Sequence, residues 1–242
     1  MKQSYYKSFP VPEAACDADG YCRPSFFAVC MENIAREDSI RLGQGADILR
    51  AKYNAGWMIL FAQMTLRRPV RAGQTLQALT WTRGVKGASV LRDYIFFIDG
   101  GELLRATQQW VVVEMTKRIL LNPHRLPELA ATCPSYALSE RPERVPDFSF
   151  DTEAVPQTVS AMEIDANGHM NNACYLRRAE ALLPPDRLQR PYRLQFEYRS
   201  ELMQGQSFDV LHSATDNTAC VVFRRDGHIC FSLYSEDIVQ QR

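Results

Sequence analysis

The chain offers none of the common signatures of a bound metal, a nucleotide or a serine nucleophile. Its seven cysteines (16, 22, 30, 133, 174, 220 and 230) are odd in number and scattered, with no C-x-x-C pair, so neither a disulfide framework nor a zinc ligand set can be read from them. They read most simply as small core residues in a reducing compartment. G-x-S-x-G, a Walker loop and H-E-x-x-H are all missing. Gly43-Gln44-Gly45 lacks the third glycine and the preceding strand of a dinucleotide fingerprint. No cofactor and no metal is therefore expected. Surplus charge is lacking too: 28 Lys and Arg balance 28 Asp and Glu, so nothing global attracts nucleic acid or an anionic membrane, and an acidic partner must find a local basic patch. No apolar run is long enough to span a bilayer, and the opening Met-Lys-Gln-Ser-Tyr-Tyr-Lys has no signal-peptide core. The expected location is the cytoplasm, without stable membrane anchoring.

What the chain does have is core-forming material, 46% hydrophobic over 242 residues, enough for one large domain or two small ones. After a short strand from Tyr5 and a turn at Asp17-Ala18-Asp19-Gly20, Pro24 opens a helix carrying Phe26, Phe27, Val29, Cys30, Met31 and Ile34, apolar on nearly every side until Gly43. Such a helix must be wrapped. The next four segments, Trp57 to Leu66, Thr75 to Arg83, Ser89 to Ile98 and Glu102 to Met115, read as strands, the last two joined by an Asp99-Gly100 hairpin. A sheet curled around one long helix is a hot-dog arrangement. Residues 122–150, punctuated by Pro123, Pro127, Pro134, Pro142 and Pro146, read as a linker. Beyond it the order recurs: a strand from Val155 to Ile164, a polar turn, a helix stopped by Pro184-Pro185, and four strands ending in an Asp226-Gly227 hairpin. The expected class is α+β, two tandem hot-dog domains over 1–121 and 151–242.

The recurrence is residue-level. Asp17-Ala18-Asp19-Gly20-Tyr21 aligns with Asp165-Ala166-Asn167-Gly168-His169, and in the same register Phe27 meets Tyr175 and Glu32 meets Glu180. Further on, Leu66 to Gln74 aligns with Tyr198 to Gln206, the first copy carrying an extra helical segment, Ala46 to Tyr53, in between. Two agreements in order favour duplication. The copies differ where chemistry is concerned: Tyr21 stands against His169, Asp19 against Asn167 and Pro69 against Glu201. Taken singly, Asp-x-Asn-Gly is an ordinary turn. With His169 and Glu201 beside it, the second copy alone joins two carboxylates, an amide and an imidazole. Gly168 permits the turn, Asn171 or Asn172 caps the following helix, and that helix's unpaired N–H groups and dipole favour a developing oxyanion, which suits carbonyl chemistry.

With these motifs, the chain resembles the acyl-acyl carrier protein thioesterases of plants and bacteria, tandem hot-dog enzymes that end fatty acid synthesis. The likeness runs through Ile34-Ala35-Arg36, Arg92-Asp93-Tyr94, Arg105-Ala106 with Trp110, Thr116-Lys117-Arg118, Asp165-x-Asn167-x-His169-x-Asn171-Asn172 and Glu197-Tyr198-Arg199-Ser200-Glu201. It implies a catalytic set of Asp165, Asn167, His169 and Glu201. Many members carry a cysteine directly after that last glutamate; here the position is Leu202, which excludes a thiol mechanism there and favours a carboxylate one. Asp165 would activate water or attack directly, Glu201 would position or activate the water, Asn167 and helix amides would hold the oxyanion, and His169 would orient a carboxylate or protonate the sulfur.

The implied partner is acyl carrier protein, an acidic protein, for which Arg177, Arg178, Arg187, Arg190 and Arg193 are docking candidates, a solvated basic face being the bland alternative. The first copy would bury the acyl chain. One face of its first long strand reads Met58, Leu60, Ala62, Met64, and with Phe27 and Met31 of the helix these are the expected chain-binding residues. A monomer or a homodimer is compatible with tandem halves. Acyl-coenzyme A hydrolysis and a non-catalytic acyl-binding module are the alternatives.

Overall fold

Runs of β-branched and aromatic residues broken by glycine turns become strands, and the apolar segment opened by Pro24 becomes the long helix. The computed structural model describes residues 4–130, 133, 135–138, 144–150, 153–184 and 186–238, so Pro134, Pro142 and Pro185 of the predicted linker and helix stop lie outside the described residues. In chain order the elements are β1 (Tyr5–Pro10), α1 (Pro24–Arg41), α2 (Ala46–Tyr53), β2 (Ala55–Leu66), β3 (Thr75–Lys86), β4 (Ser89–Ile98), β5 (Gly101–Glu114), β6 (Ile119–Leu121), β7 (Val155–Thr158), α3 (Asn172–Glu180), β8 (Tyr192–Tyr198), β9 (Ser207–Ala214), β10 (Thr218–Arg225) and β11 (His228–Asp237). The chain divides into one unit of Met1–Val11, Val29–Met64 and Gln74–Pro142 and another of Pro12–Ala28, Thr65–Gly73 and Glu143–Arg242. These units are discontinuous in sequence, residues 12–28 and 65–73 grouping with 143–242.

In the first unit the antiparallel strands run β1-β3-β4-β5-β2, with β6 on β5; in the second they run β8-β11-β10-β9-β7. The two hot-dog sheets expected from the sequence are present. Both hairpins form as predicted, with Asp99 and Gly100 at φ 51° and 75° and Asp226 and Gly227 at 51° and 80°, the left-handed pair that a two-residue hairpin requires. The register shifts at Phe96/Phe97 and at Phe223/Arg224, so even the bulge recurs at the same distance before its hairpin. The bridges Cys16 to Cys22 and Tyr21 to Arg71 have their counterparts in Ile164 to Met170 and His169 to Met203. These correspond to both segments of the aligned repeat.

Two segments depart from expectation. The strand read from Val155 to Ile164 stops at Thr158, because the Ser160 hydroxyl accepts from Met162 N while Glu163 reaches back to Ser160 N, a capping box that turns the chain into a short 3-10 helix. The described residues of the stretch read as linker are packed rather than loose. Leu126 and Leu129 are buried with Leu49, Ala55, Val90 and Val112, and Trp81 Nε1 donates to Ser135 O at 2.8 Å. In the second unit Val145 packs on Cys220 and Val222, and the ring of Phe148 stacks on Tyr234. Isolated apolar side chains covering a sheet have no period, so prolines dominate the reading of such a stretch.

β4 is held from both faces. Arg92 donates to Asp38 Oδ2 of α1 at 2.7 Å and to Thr82, while the next residue, Asp93, takes Arg83 at 2.7 Å and the Ala137 N–H at 3.3 Å. Consecutive side chains on a strand point to opposite faces, so one dipeptide anchors the helix on one side and the 135–138 segment on the other.

In the second unit Glu180, at the end of α3, accepts from Ser25 N at 2.8 Å and Ser25 Oγ at 2.7 Å at the start of α1. Burial nonetheless pushes its carboxyl up to about 7. A carboxyl raised in the folded state contributes stability that is complete below its unfolded value of 4.5 and lost as pH rises through about 7. Glu180→Gln is therefore expected to raise the melting temperature at pH 8, corresponding to at most about 3 kcal/mol, and to leave it nearly unchanged near pH 4.5, as thermal scans at the two pH values will show.

Candidate active site

The loop between the 3-10 turn and α3 is built by one carboxylate. Asp165 Oδ1 accepts the N–H of Asn167 at 2.8 Å and of His169 at 3.3 Å, and Oδ2 accepts Asn167 Nδ2 at 3.3 Å. Gly168 sits at φ 83°, which only glycine adopts without strain, and its N–H returns to Asp165 O. Asn171, one of the two predicted caps, is the one that serves, accepting from Ala173 N at 2.9 Å. The first copy repeats the construction: Asp17 Oδ1 accepts from Asp19 N at 3.0 Å and Tyr21 N at 2.8 Å. Holding the turn is thus a structural duty of this aspartate in both copies. In the second copy the other oxygen also accepts from an amide side chain, that of Asn167.

Glu201 is brought in by its neighbour. Leu202 O accepts from Met170 N at 2.7 Å, and Leu202 N donates to the Tyr175 hydroxyl at 2.7 Å, so the segment is pinned to the catalytic loop on one side and to α3 on the other. Glu201 Oε2 then lies 3.4 Å from His169 Nε2, both side chains being partly exposed. The Leu202 side chain is fully buried in the core. Tyr175 is itself held among rings, edge-on to Tyr198 at 5.6 Å and tilted on Phe231 at 5.5 Å. Sequence reasoning overlooked it, although the signal was there: its partner in the repeat is Phe27, so the hydroxyl belongs to the catalytic copy alone.

Most backbone N–H groups of the loop and helix start are already engaged. The N–H groups of residues 167–171, 173 and 174 donate within the loop or to its immediate partners. The helix start is capped from inside by the Asn171 side chain, which takes the Ala173 N–H.

The predicted docking arginines are mostly engaged elsewhere. Arg187 is fully buried and bonds Asp237 and Asn217 O, Arg190 bonds the same Asp237 at 2.6 Å, Arg193 bonds Glu236 at 3.2 Å, and Arg178 bonds Glu163 at 2.6 Å and Thr158 O at 2.9 Å. That guanidinium holds the Glu163 carboxyl below its ordinary value. Arg177 is the exposed member. Acidic partners for these arginines are distant in sequence, which is why spacing alone read them as a free face.

In the first unit a cavity of about 190 Å³ opens between α1 and the sheet. Glu32, Ala35, Arg36 and Ser39 form its helical stripe, and Trp57, Val90 and Trp110 are among its sheet-side walls. None of Met58, Leu60, Ala62, Met64, Phe27 and Met31 lines it. Both faces of β2 are apolar, so alternation could not tell which one met the cavity; Trp57 and the even-numbered set lie on opposite faces.

In a tandem hot-dog chain, Asp165 thus meets Asn167 and His169 meets Glu201 on one loop and the segment bridged to it. The acyl-ACP thioesterase N-terminal domain matches residues 2–128, and the C-terminal domain of the same family matches residues 151–228. Among solved structures, an acyl-ACP thioesterase from Bacteroides thetaiotaomicron superposes with a TM-score of 0.82 at 17% identity, covering 97% of this chain and 98% of that one. The 12:0-ACP thioesterase from Umbellularia californica gives 0.82 at 16% identity, covering 96% of each. No curated protein matches the chain in sequence. The chain belongs to the acyl-ACP thioesterase family and is a thioester hydrolase of fatty acyl-ACP.

Tyr175→Phe reproduces the first copy's residue and leaves Leu202 N–H buried without a partner, a loss of about 1–3 kcal/mol. The expected outcome is a folded protein with a lower melting temperature and a reduced kcat, since Glu201 loses its anchor. A kcat equal to wild type would show that Glu201 is placed without this bond.

Proposed function

We propose that Asp165, Asn167, His169 and Glu201 carry out the hydrolysis by a carboxylate mechanism and that the cavity of the first unit receives the acyl chain. The observation that carries the first part is the division of Asp165 between its oxygens. Oδ1 is engaged by two backbone N–H groups, as in the non-catalytic copy, so the chemistry falls to Oδ2. A thioester's leaving thiol resembles cysteine, with a pKa near ~8.5, and needs little acid assistance. Oδ2 either takes a proton from the attacking water or attacks the carbonyl to give a mixed anhydride. His169, oriented by Glu201, donates a proton to the departing sulfur, and in the anhydride route Glu201 activates the water that releases the fatty acid. Asn167 turns its amide from Oδ2 to the oxyanion as charge develops there.

Asp165→Asn keeps an oxygen that accepts both N–H bonds, so the loop is expected to survive while the rate falls on the order of 10²–10⁴-fold. Asp17→Asn is the internal control and should leave turnover unchanged. Normal turnover by Asp165→Asn with an unchanged melting curve would remove Asp165 from the mechanism. Single turnover in isotopically labelled water tests the anhydride route: water attacking the Asp165 carbonyl of the anhydride leaves label in Asp165, which the general-base route never does.

For the acyl chain, the two helix–sheet spaces differ. In the second unit Tyr175, Phe196, Phe223 and Phe231 fill it with rings 5–7 Å apart. In the first unit the cavity stays open, walled at depth by Thr82 and by Arg92, whose guanidinium is held by Asp38 and Ser39. An aliphatic tail stops at that charged wall, so the chain length accepted is bounded. Each buried methylene is worth about 0.8 kcal/mol, so denying room to two carbons shifts specificity roughly 15-fold. Val90→Phe is expected to move the fatty acids released in a bacterial host toward shorter chains, whereas Ala62→Phe, off the cavity, should leave the profile alone. A shifted profile from Ala62→Phe and none from Val90→Phe would return the chain to the face first expected. Among the described residues no helix is long and apolar enough to cross a membrane, and a cytoplasmic enzyme agrees with this reading.

A further inference from the structure

Large apolar side chains stand in solvent around the catalytic loop. Met162 is 93% exposed in the 3-10 turn before Asp165, Met203 is 47% exposed on the residue bridged to His169, and Val155 is 51% exposed on β7. The Val159 N–H to Gln206 O and Gly205 N–H to Val159 O bonds seat the end of β7 against the loop that carries Met203. The duplication supplies an internal control. At the equivalent positions the non-catalytic copy has Ala14, Arg71 and Lys7, on the same backbone pattern of turn, bridge and edge strand. The fold therefore does not require exposed apolar groups there, and only the catalytic copy has them. Apolar surface left in water beside a site marks contact with another molecule, and methionine adapts its shape to one.

The charges bordering this surface have a sign. Glu163 is neutralised by Arg178 at 2.6 Å. Glu197, by contrast, faces both Arg199 at 3.0 Å and Arg144 at 3.8 Å, so two guanidinium groups share one carboxylate there, and Arg177 is exposed on α3. The scissile thioester must pass this rim while still joined to its carrier.

We propose that Met162, Met203 and Val155, bordered by Arg177 and Arg199, form the seat of the acyl carrier protein, an acidic partner whose charge the arginines complement and whose apolar surface the methionines cover. This rests on the thioesterase reading of the site. It replaces the arginine face expected from the sequence with an apolar centre and a narrower basic border.

The test compares one acyl group on two carriers, acyl carrier protein and free pantetheine. Met162→Glu/Met203→Glu is expected to lower kcat/KM for the protein-borne substrate at least ~10-fold through KM, while kcat/KM on the pantetheine thioester stays within about twofold. The milder Met162→Ala/Met203→Ala and the charge reversal Arg177→Glu should show the same selective loss to a smaller degree. Equal losses on both substrates, or none on acyl-ACP, overturn the docking face. Two other occupants have their own signatures: a wild-type dimer that the double variant dissolves assigns the face to a second copy, and binding of anionic phospholipid vesicles lost in the variant assigns it to a membrane. Failure of the wild type to hydrolyse either thioester would instead overturn the reading of the site itself.

Discussion

The meeting of Glu201 with His169 depends on the residue that follows the glutamate. Leu202 is bonded through its carbonyl to Met170 and through its N–H to the Tyr175 hydroxyl, both at 2.7 Å, and its side chain is buried. These contacts fix the residue before it, so Glu201 meets His169 although the two are far apart in sequence. In a medium where an unmade hydrogen bond costs more than a made one returns, such a double tether leaves the backbone no alternative path. The position is a packing position, and the carboxylate beside it is the group that faces outward.

The duplicated loop separates what the fold needs from what the reaction needs. Asp17 and Asp165 make the same pair of backbone bonds, and Gly20 and Gly168 take φ values of 80° and 83°. An aspartate and a glycine at these places are therefore no sign of catalysis. The discriminating residues are those that changed: Tyr21, clamped by Arg71 at 2.5 Å, in place of His169, Pro69 in place of Glu201, and Phe27 in place of Tyr175. The first loop keeps its geometry and has lost its acid–base pair.

Much of this was legible because it is local. Asp-Gly hairpins, the buried helix after Pro24 and the aligned repeat all announce themselves within a few residues, and the structure keeps each of them. What could not be read depends on contacts across long separations. Arg187 meets Asp237 and Arg193 meets Glu236, so a cluster of arginines that looks free in the sequence is largely neutralised in the fold. The segment after Asn122 packs through Leu126, Leu129, Val145 and Phe148, which follow no period. The cavity lies on the Trp57 face of β2 because α1 covers that face, and a strand apolar on both sides carries no mark of which one that will be.

The open cavity itself follows from where the first unit has placed its charges. Arg92 and Asp93 are adjacent on β4, one engaging Asp38 of α1 and the other Arg83 beneath the 135–138 segment. Removing one partner of such a buried pair strands a charge, at a cost of about 3–5 kcal/mol, so the arrangement is hard to relax by single substitutions. A guanidinium held by Asp38, Thr82 and Ser39 cannot be replaced by closer apolar packing between helix and sheet, and the space beside it stays open where Val90, Trp57 and Trp110 line it. In the second unit the same layer is closed by aromatic rings, which hold Tyr175 and through it Glu201. The two copies thus depart from a common plan in opposite directions: one fills its helix–sheet layer with rings that fix Tyr175 and Leu202, the other preserves a void, and neither could do both with the same residues.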